Sequence, residues 1–537
     1  MSQNTVFQRF SETAQRRGKA PFLQVMQETA QIYGIPAEEI SYTEMAARVG
    51  LRAQGFARAG YGAGHRVGLL LQNRPVFLEI WLALNSLGVS VVPINPDLRL
   101  AELEYLAQHS EMVLAIVLPE RLEEMQQAAA NAGLSLPVIC ATDALPVARC
   151  PASAGLTIDR AHECALLYTS GTTGQPKGCI LSNEYFLHCG DWYARTGGHI
   201  GLRQDCERML TPLPVFHMNA MAVSVMAMIS VGGCLILLDR FHPSSWWQSV
   251  RESGATVVHY LGVMPTMLSG AVPSDDDRRH SVRFGFGAGV DKKLHASFEQ
   301  LFGFPLIEAW AMTETGSGGV ICAYDEPRKI GTSCFGRAAP EVEARVVDDA
   351  GRDVSAGLPG ELLVRHAGQN PRYGFFSGYL KNQQATDEVW AGGWFHTGDI
   401  VQRDADGAFH FVDRKKNVIR RSGENIAAVE VETILNRHPD IRMVAAAATP
   451  DEMRGDEVAA VIVLKAGTGT AETAAEIVRW GLEQMAYYKV PGWISFVEDL
   501  PLTATQKILR GKVKDLVETL MQQGRFHDTR ALKRRRA

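Results

Sequence analysis

The sequence contains no C-x-x-C pair. Its nine cysteines are scattered between Cys140 and Cys334. That argues against a disulfide frame or a zinc site and for reduced thiols in a cytoplasmic protein. The N-terminus, MSQNTVFQRFSETAQRRGKA, lacks an apolar core, so no secretory signal is expected there. An excess of one charge is lacking too. Lys plus Arg is 54 and Asp plus Glu is 59, leaving −5, too little to draw the chain to nucleic acid or to an anionic membrane. Tandem repeats and low-complexity blocks are absent. One stretch, Met218 to Leu238, carries no charge and is long enough to span a bilayer. Gly232-Gly233 splits it, and Asn219, Ser224 and Ser230 interrupt it. It reads as a buried helix, a glycine turn and a buried strand, and no membrane span is expected.

What is present is an ordinary globular composition, with 46% apolar and 21% charged residues, in a chain of 537. That length predicts two or more domains. YTEMAARVGLRAQGFARAG reads as a helix behind a cap at Ser41, ending at Gly60. RVGLLLQN (66–73), PVFLEIWLALNSLG (75–88) and VSVVPINP (89–96) read as strand, helix and strand. Short joins make this a βαβ unit, hence a parallel sheet. Further apolar runs at 112–119, 136–141 and 255–262 repeat the pattern. The fold class is therefore α/β, with doubly wound, mostly parallel sheets in a large N-terminal domain. GAFHFVDRKKN (407–417) marks a change of character. Beyond it, helix 427–439, strands 443–449 and 457–467 and helix 474–486 predict a small α+β domain. The boundaries are 1–413 and 417–537, with a hinge near 414–416.

The most informative stretch is LLYTSGTTGQPKG (166–178). A strand end, Leu166 to Tyr168, leads into Thr169, Ser170, Gly171, Thr172, Thr173 and Gly174, and Lys177 follows Pro176. Hydroxyls, backbone N–H groups freed by glycine and a lysine make a cradle for a triphosphate. It is not a Walker loop, which needs Gly before the Lys and Ser or Thr after it. Ligands in such folds gather beyond the carboxyl ends of the strands. That also points to 210–220, 283–290 and 307–316.

The stretch resembles the phosphate loop of the adenylate-forming superfamily of acyl-CoA synthetases, luciferases and peptide adenylation domains. Further motifs follow in the family's order. In WAMTETG the resemblance implies that Thr313 touches the α-phosphate and that Glu314 holds Mg²⁺. Trp310 stands where the family has an adenine-stacking Tyr, and Ala311 replaces a Gly beside the acyl pocket. GFGAGV offers Gly287, Ala288 and Gly289 as a wall around the adenine. Asp399 in WFHTGD corresponds to the ribose ligand, with Arg414 as its companion and Lys416 at the hinge. Lys507 corresponds to the lysine that neutralises the attacking carboxylate and the α-phosphate, although Gln506 stands where Gly is usual. In RRSGENI, Gly423 falls where the family walls its pantetheine tunnel, and Ser422 replaces a second Gly. The family's CoA ligases have an aromatic residue or His beside the substrate carboxylate, and the resemblance implies that place for His217 in PLPVFHMNA. Amino-acid-activating relatives carry an Asp nearby that binds the α-ammonium; none occurs here between Asp205 and Asp239, so the resemblance disfavours amino-acid substrates. The pocket candidates are Tyr260, Leu261, Gly262, Val263, Met264 and Phe286, with Thr315 to Gly319.

The activity so implied is that of an acid–CoA ligase using ATP, Mg²⁺ and coenzyme A on a short, medium or cyclic carboxylic acid. The alternative is a stand-alone adenylating enzyme that passes its acyl group to a carrier protein or an amine. The C-terminal half looks most like crotonobetaine/carnitine-type and neighbouring short- and medium-chain ligases. A monomer or homodimer is expected, and the small domain is expected to turn between two half-reactions.

Overall fold

The computed structural model describes residues 5–169, 175–270, 274, 276–414, 418–467, 469–501 and 510–534. The expected βαβ unit is present. Strand Arg66–Leu70 pairs in parallel with Ser90–Pro93, and helix Pro75–Ser86 joins them with Pro at its first turn. That helix is buried from Phe77 to Asn85, as its apolar sequence requires. Helix Tyr42–Arg58 starts at Ser41, whose hydroxyl accepts from Glu44 N–H while the Glu44 carboxylate accepts from Ser41 N–H, a capping box.

Two mixed sheets carry the large domain. The first orders its seven strands as Gly378–Tyr379, Lys177–Ser182, Glu163–Thr169, Ser90–Pro93, Arg66–Leu70, Leu114–Val117 and Val138–Cys140. The second has eight, with Leu306–Trp310, Phe284–Ala288, Val257–Leu261, Arg208–Thr211, Cys234–Leu237 and Pro21–Gln24 running parallel through its centre. A third sheet of five antiparallel strands adds Val342–Val347, Pro359–His366, Phe395–Arg403, Phe409–Arg414 and Cys334–Gly336. The charge-free run folds as expected. A helix (Asn219–Val225 wound as π, then Met226–Val231) stops at Gly232, φ +67°, and strand Cys234–Leu237 follows. Among the described residues no helix is long and apolar enough to cross a membrane.

The last part is built on strands Ile441–Asp451 and Gly455–Leu464. Alternation sorts their side chains onto two faces. Val444, Ala446, Val458, Ala460 and Ile462 pack with Ile434, Leu435 and Ile477. Ala445, Ala447, Ala459, Val461 and Val463 pack with Val513, Val517 and Leu520 of helix Arg510–Gln522. Among the described residues, no buried apolar cluster joins residues before 411 to residues after 419. The clusters therefore fall into two sets, one on each side of residues 411–419.

Candidate active site

A cavity of about 410 Å³ opens where the strand ends of both large-domain sheets meet the small domain. Strand Leu306–Trp310 feeds Ala311, Met312, Thr313 and Glu314 into its wall. Glu314 is buried, and its Oε1 accepts from Tyr379 Oη at 2.9 Å and from Thr169 Oγ1 at 3.4 Å. Burial and the nearby Glu314 charge push the Tyr379 hydroxyl far above its ordinary value, so it stays a donor. Lys177 Nζ lies 4.7 Å over the Tyr379 ring. Thr313 is held through its carbonyl by Tyr185 Oη at 2.9 Å. A lysine, a carboxylate and two hydroxyls thus share one wall.

Lys177 is placed by a hairpin. Glu163–Thr169 and Lys177–Ser182 pair antiparallel, with Thr169 opposite Lys177. Ser170, Gly171, Thr172, Thr173 and Gly174, the rest of the phosphate-cradle candidates, lie outside the described residues. So do Lys416, Gln506 and Lys507. Among the described residues no group of three or more His, Cys, Asp or Glu forms a metal cage.

Asp399 is buried and lines the cavity. Its Oδ2 accepts the indole N–H of Trp310 at 2.8 Å. In the antiparallel sheet Asp399 pairs with Arg414 across the ladder. Trp310 itself does not line the cavity. Alternation along the strand turns Ala309 and Ala311 inward and Trp310 away, toward Phe335. What Trp310 offers in this arrangement is an N–H for Asp399. Gly287 and Ala288 do line the wall, and Gly289, φ +78°, donates its N–H to Glu308 Oε2 at 3.1 Å behind it.

The pocket candidates divide the same way. Leu261 and Phe286 line the cavity, with Gly316 and Ser317. Tyr260, Gly262 and Met264 do not, which corrects the expectation for them. Tyr260 sits on the opposite face of strand Val257–Leu261, packs with Met264 in a separate core and donates its hydroxyl to Ile307 O at 3.2 Å. Gly262 is glycine because a Cβ there would lie 1.7 Å from Gly289 O. Trp192, Phe286 and Val223 line the cavity instead, with the two rings 6.1 Å apart. Behind Phe286, His259 bonds Ser224 Oγ at 2.8 Å and Tyr193 Oη at 3.2 Å. Burial pushes His259 down to about 3, so this backing is uncharged at neutral pH.

The small domain closes the cavity with Val418, Arg420, Gly423 and Glu424. Strands Val418–Arg421 and Glu424–Ala427 form a hairpin with a two-residue turn. Both turn residues have positive φ, +51° at Ser422 and +92° at Gly423, as a type I′ turn requires. A Cβ on Gly423 would lie 2.3 Å from Leu261 Cδ1 of the large domain. Next to it, Glu424 Oε1 lies 3.3 Å from His217 Nε2. Tyr379, Trp192 and Glu424 went unnoticed in the sequence. Only the repeated aromatic and acidic character around GYLKN and SGEN could have singled out two of them.

Residues 10–380 match the family model described as AMP-binding enzyme, and residues 430–507 match AMP-binding enzyme C-terminal domain. The crotonobetaine/carnitine–CoA ligase of Shigella flexneri is 31% identical over 493 residues, 88% of this chain and 93% of that protein. Among solved structures, the o-succinylbenzoate CoA synthetase of Bacillus subtilis shares the fold with a TM-score of 0.81 at 22% identity, over 96% of this chain and 98% of that one. The amide bond synthetase of Marinactinospora thermotolerans does so with a TM-score of 0.78 at 23% identity, over 94% and 99%.

Proposed function

Because this chain belongs to the AMP-binding enzyme family, we propose that it is an ATP-dependent acid–CoA ligase. A carboxylate and ATP give acyl-AMP and pyrophosphate. Acyl-AMP and coenzyme A then give acyl-CoA and AMP. One observation carries the reading. A single cavity has Lys177 and Glu314 on its large-domain wall and the turn at Gly423 on its small-domain wall, with Asp399 between them in the chain.

Lys177 clamps the β- and γ-phosphates with the residues at 170–174, and these leave as pyrophosphate. Mg²⁺ would be held by Glu314 and by the phosphate oxygens. A buried carboxylate on the cavity wall suits that ion, which keeps most of its shell as water and phosphate. When bound, it neutralises charge on the leaving group. In this reading Thr313 contacts the α-phosphate, and the charge on it is neutralised by Lys507. Asp399, kept in place by Trp310, accepts the ribose hydroxyls with Arg414 near it, while Gly287, Ala288 and Gly289 wall the base. The division of the cores supports domains 1–413 and 417–537 turning about Lys416. His217 stands beside the carboxylate in the first half-reaction and meets Glu424 in the second. Gly423 walls the thiol path. Ala311, Trp192, Phe286 and Val223 bound the acyl group, which suits a short, medium or cyclic acid. Nine free cysteines suit a cytoplasmic location.

The test is acid-dependent ATP–pyrophosphate exchange across a panel that includes carnitine, crotonobetaine and ring acids, each read again as CoA thioester. Exchange with at least one acid, and CoA-dependent product, is expected. Exchange without any use of CoA would transfer the reading to an amine or carrier-protein acceptor, and no exchange with any acid would end it.

A further inference from the structure

A buried ion cluster crosses the seam between the two domains. Glu102 belongs to the large domain, in the first turn of helix Leu100–Ser110. Its Oε2 accepts Arg99 N–H of its own helix start at 2.9 Å and Ala486 N–H of the small domain at 2.9 Å. Its Oε1 accepts Lys489 Nζ at 2.5 Å, and the same ammonium donates to Glu430 Oε1 at 2.6 Å. The side chains of Glu102, Lys489 and Glu430 are 6%, 7% and 5% exposed. Nearby, Asn95 Nδ2 donates to Tyr488 Oη at 2.8 Å, again across the seam.

The three charges are not equivalent. Burial lowers the Lys489 ammonium, but Glu102 and Glu430 together outweigh it and hold it charged. Burial and Glu430 raise Glu102 against the pull of Lys489, so two carboxylates share one cation. Lys489 and Glu430 both belong to the small domain and travel together. Glu102 alone is on the other side. If the small domain turned away, Glu102 would keep Arg99 N–H and the favourable helix start, and would take water on its remaining lone pairs. Its bonds to Lys489 and Ala486 therefore cost the large domain little to lose, yet they form in one relative position only. That is the position in which the Arg420–Asn425 turn walls the cavity and Gly423 meets Leu261.

We propose that Glu102 is a positioning residue for the thiol half-reaction: by capturing Lys489 and the Ala486 amide, it holds the small domain where the Gly423 turn forms the cavity wall. The inference rests on the acid–CoA ligase reading. Activation, which uses Lys507 and not this turn, does not depend on the pair.

The experiment compares Glu102→Gln with the unchanged protein. Thioester formation from supplied acyl-AMP and coenzyme A should slow by roughly tenfold or more, the loss of a buried pair partly offset by water. ATP–pyrophosphate exchange should stay within about twofold, which also shows that the variant folds. Adding Glu102→Gln to Lys489→Met should cost nothing further in the thiol step. Hydrogen exchange at the Ala486 amide, slow in the unchanged protein, should become fast in Glu102→Ala. This readout needs no activity, so it still judges the latch if no acid supports exchange and the ligase reading fails. Equal loss in both half-reactions, an unchanged thiol step or an Ala486 amide that stays protected would overturn the proposal.

Discussion

Two buried carboxylates of the large domain line the same cavity and are satisfied in different ways. Glu314 takes its hydrogen bonds from Tyr379 and Thr169, both on strands of its own domain. Glu102 takes two of its three from Lys489 and Ala486 across the seam. The first arrangement stands whatever the small domain does. The second exists only in one docking of it. A site that runs two reactions in one pocket can use this contrast: the activating wall is built once, and the acceptor wall is assembled by domain position.

Four substitutions or titrations probe that contrast. Lys489→Met leaves Glu102 and Glu430 buried without a cation, a loss of about 3–5 kcal/mol for a broken buried pair. It should appear as earlier urea unfolding of the small domain, with the large-domain transition in place. A single unchanged transition would erase the distinction. Glu314→Gln should slow ATP–pyrophosphate exchange by about 10²–10³, the usual effect of removing one preorganised charge partner. Acid should act on the large domain through two histidines that burial pushes down, His259 to about 3 and His188 to about 4. Their ordinary value is about 6.5. As pH falls below that, the unfolded chain takes up protons that the folded one refuses. Large-domain stability then drops by up to about 1.4 kcal/mol per pH unit for each histidine, levelling off near their folded values. His259→Gln should flatten this slope in acid melting curves, and an unaltered slope would remove His259 from the account. The smallest effect belongs to Trp310→Phe. Losing one N–H to a buried carboxylate costs about 1–3 kcal/mol, seen as a higher KM for ATP with kcat little altered. A fall in kcat at constant KM would place Trp310 elsewhere in the mechanism.

Much of this was legible in the residues. Pro75 opening a helix, the cap at Ser41 and the glycine break at Gly232 are local signals, and local structure follows them. The motif residues Lys177, Thr313, Glu314, Asp399 and Gly423 do come together around one cavity. What escaped the sequence is which face a strand residue takes. Tyr260 and Trp310 lie in the right segments, but the register of the sheet decides which face of its strand each takes. The antiparallel hairpin that presents Lys177 was equally hidden, because its partner strand begins beyond the loop. Pairings between distant positions were invisible as well: Tyr379 with Glu314, Glu424 with His217, Lys489 with Glu102. No spacing rule links such residues, since each pair is made by tertiary packing alone.

The most direct measurement gives Glu314→Gln a supplied acyl-AMP and coenzyme A and follows a single turnover to thioester. A division of labour between a fixed activating wall and a positional acceptor wall predicts thioester formation near the unchanged protein's rate, while ATP–pyrophosphate exchange in the same preparation is lost. If both reactions fall together, the two walls are not separable and the account is contradicted.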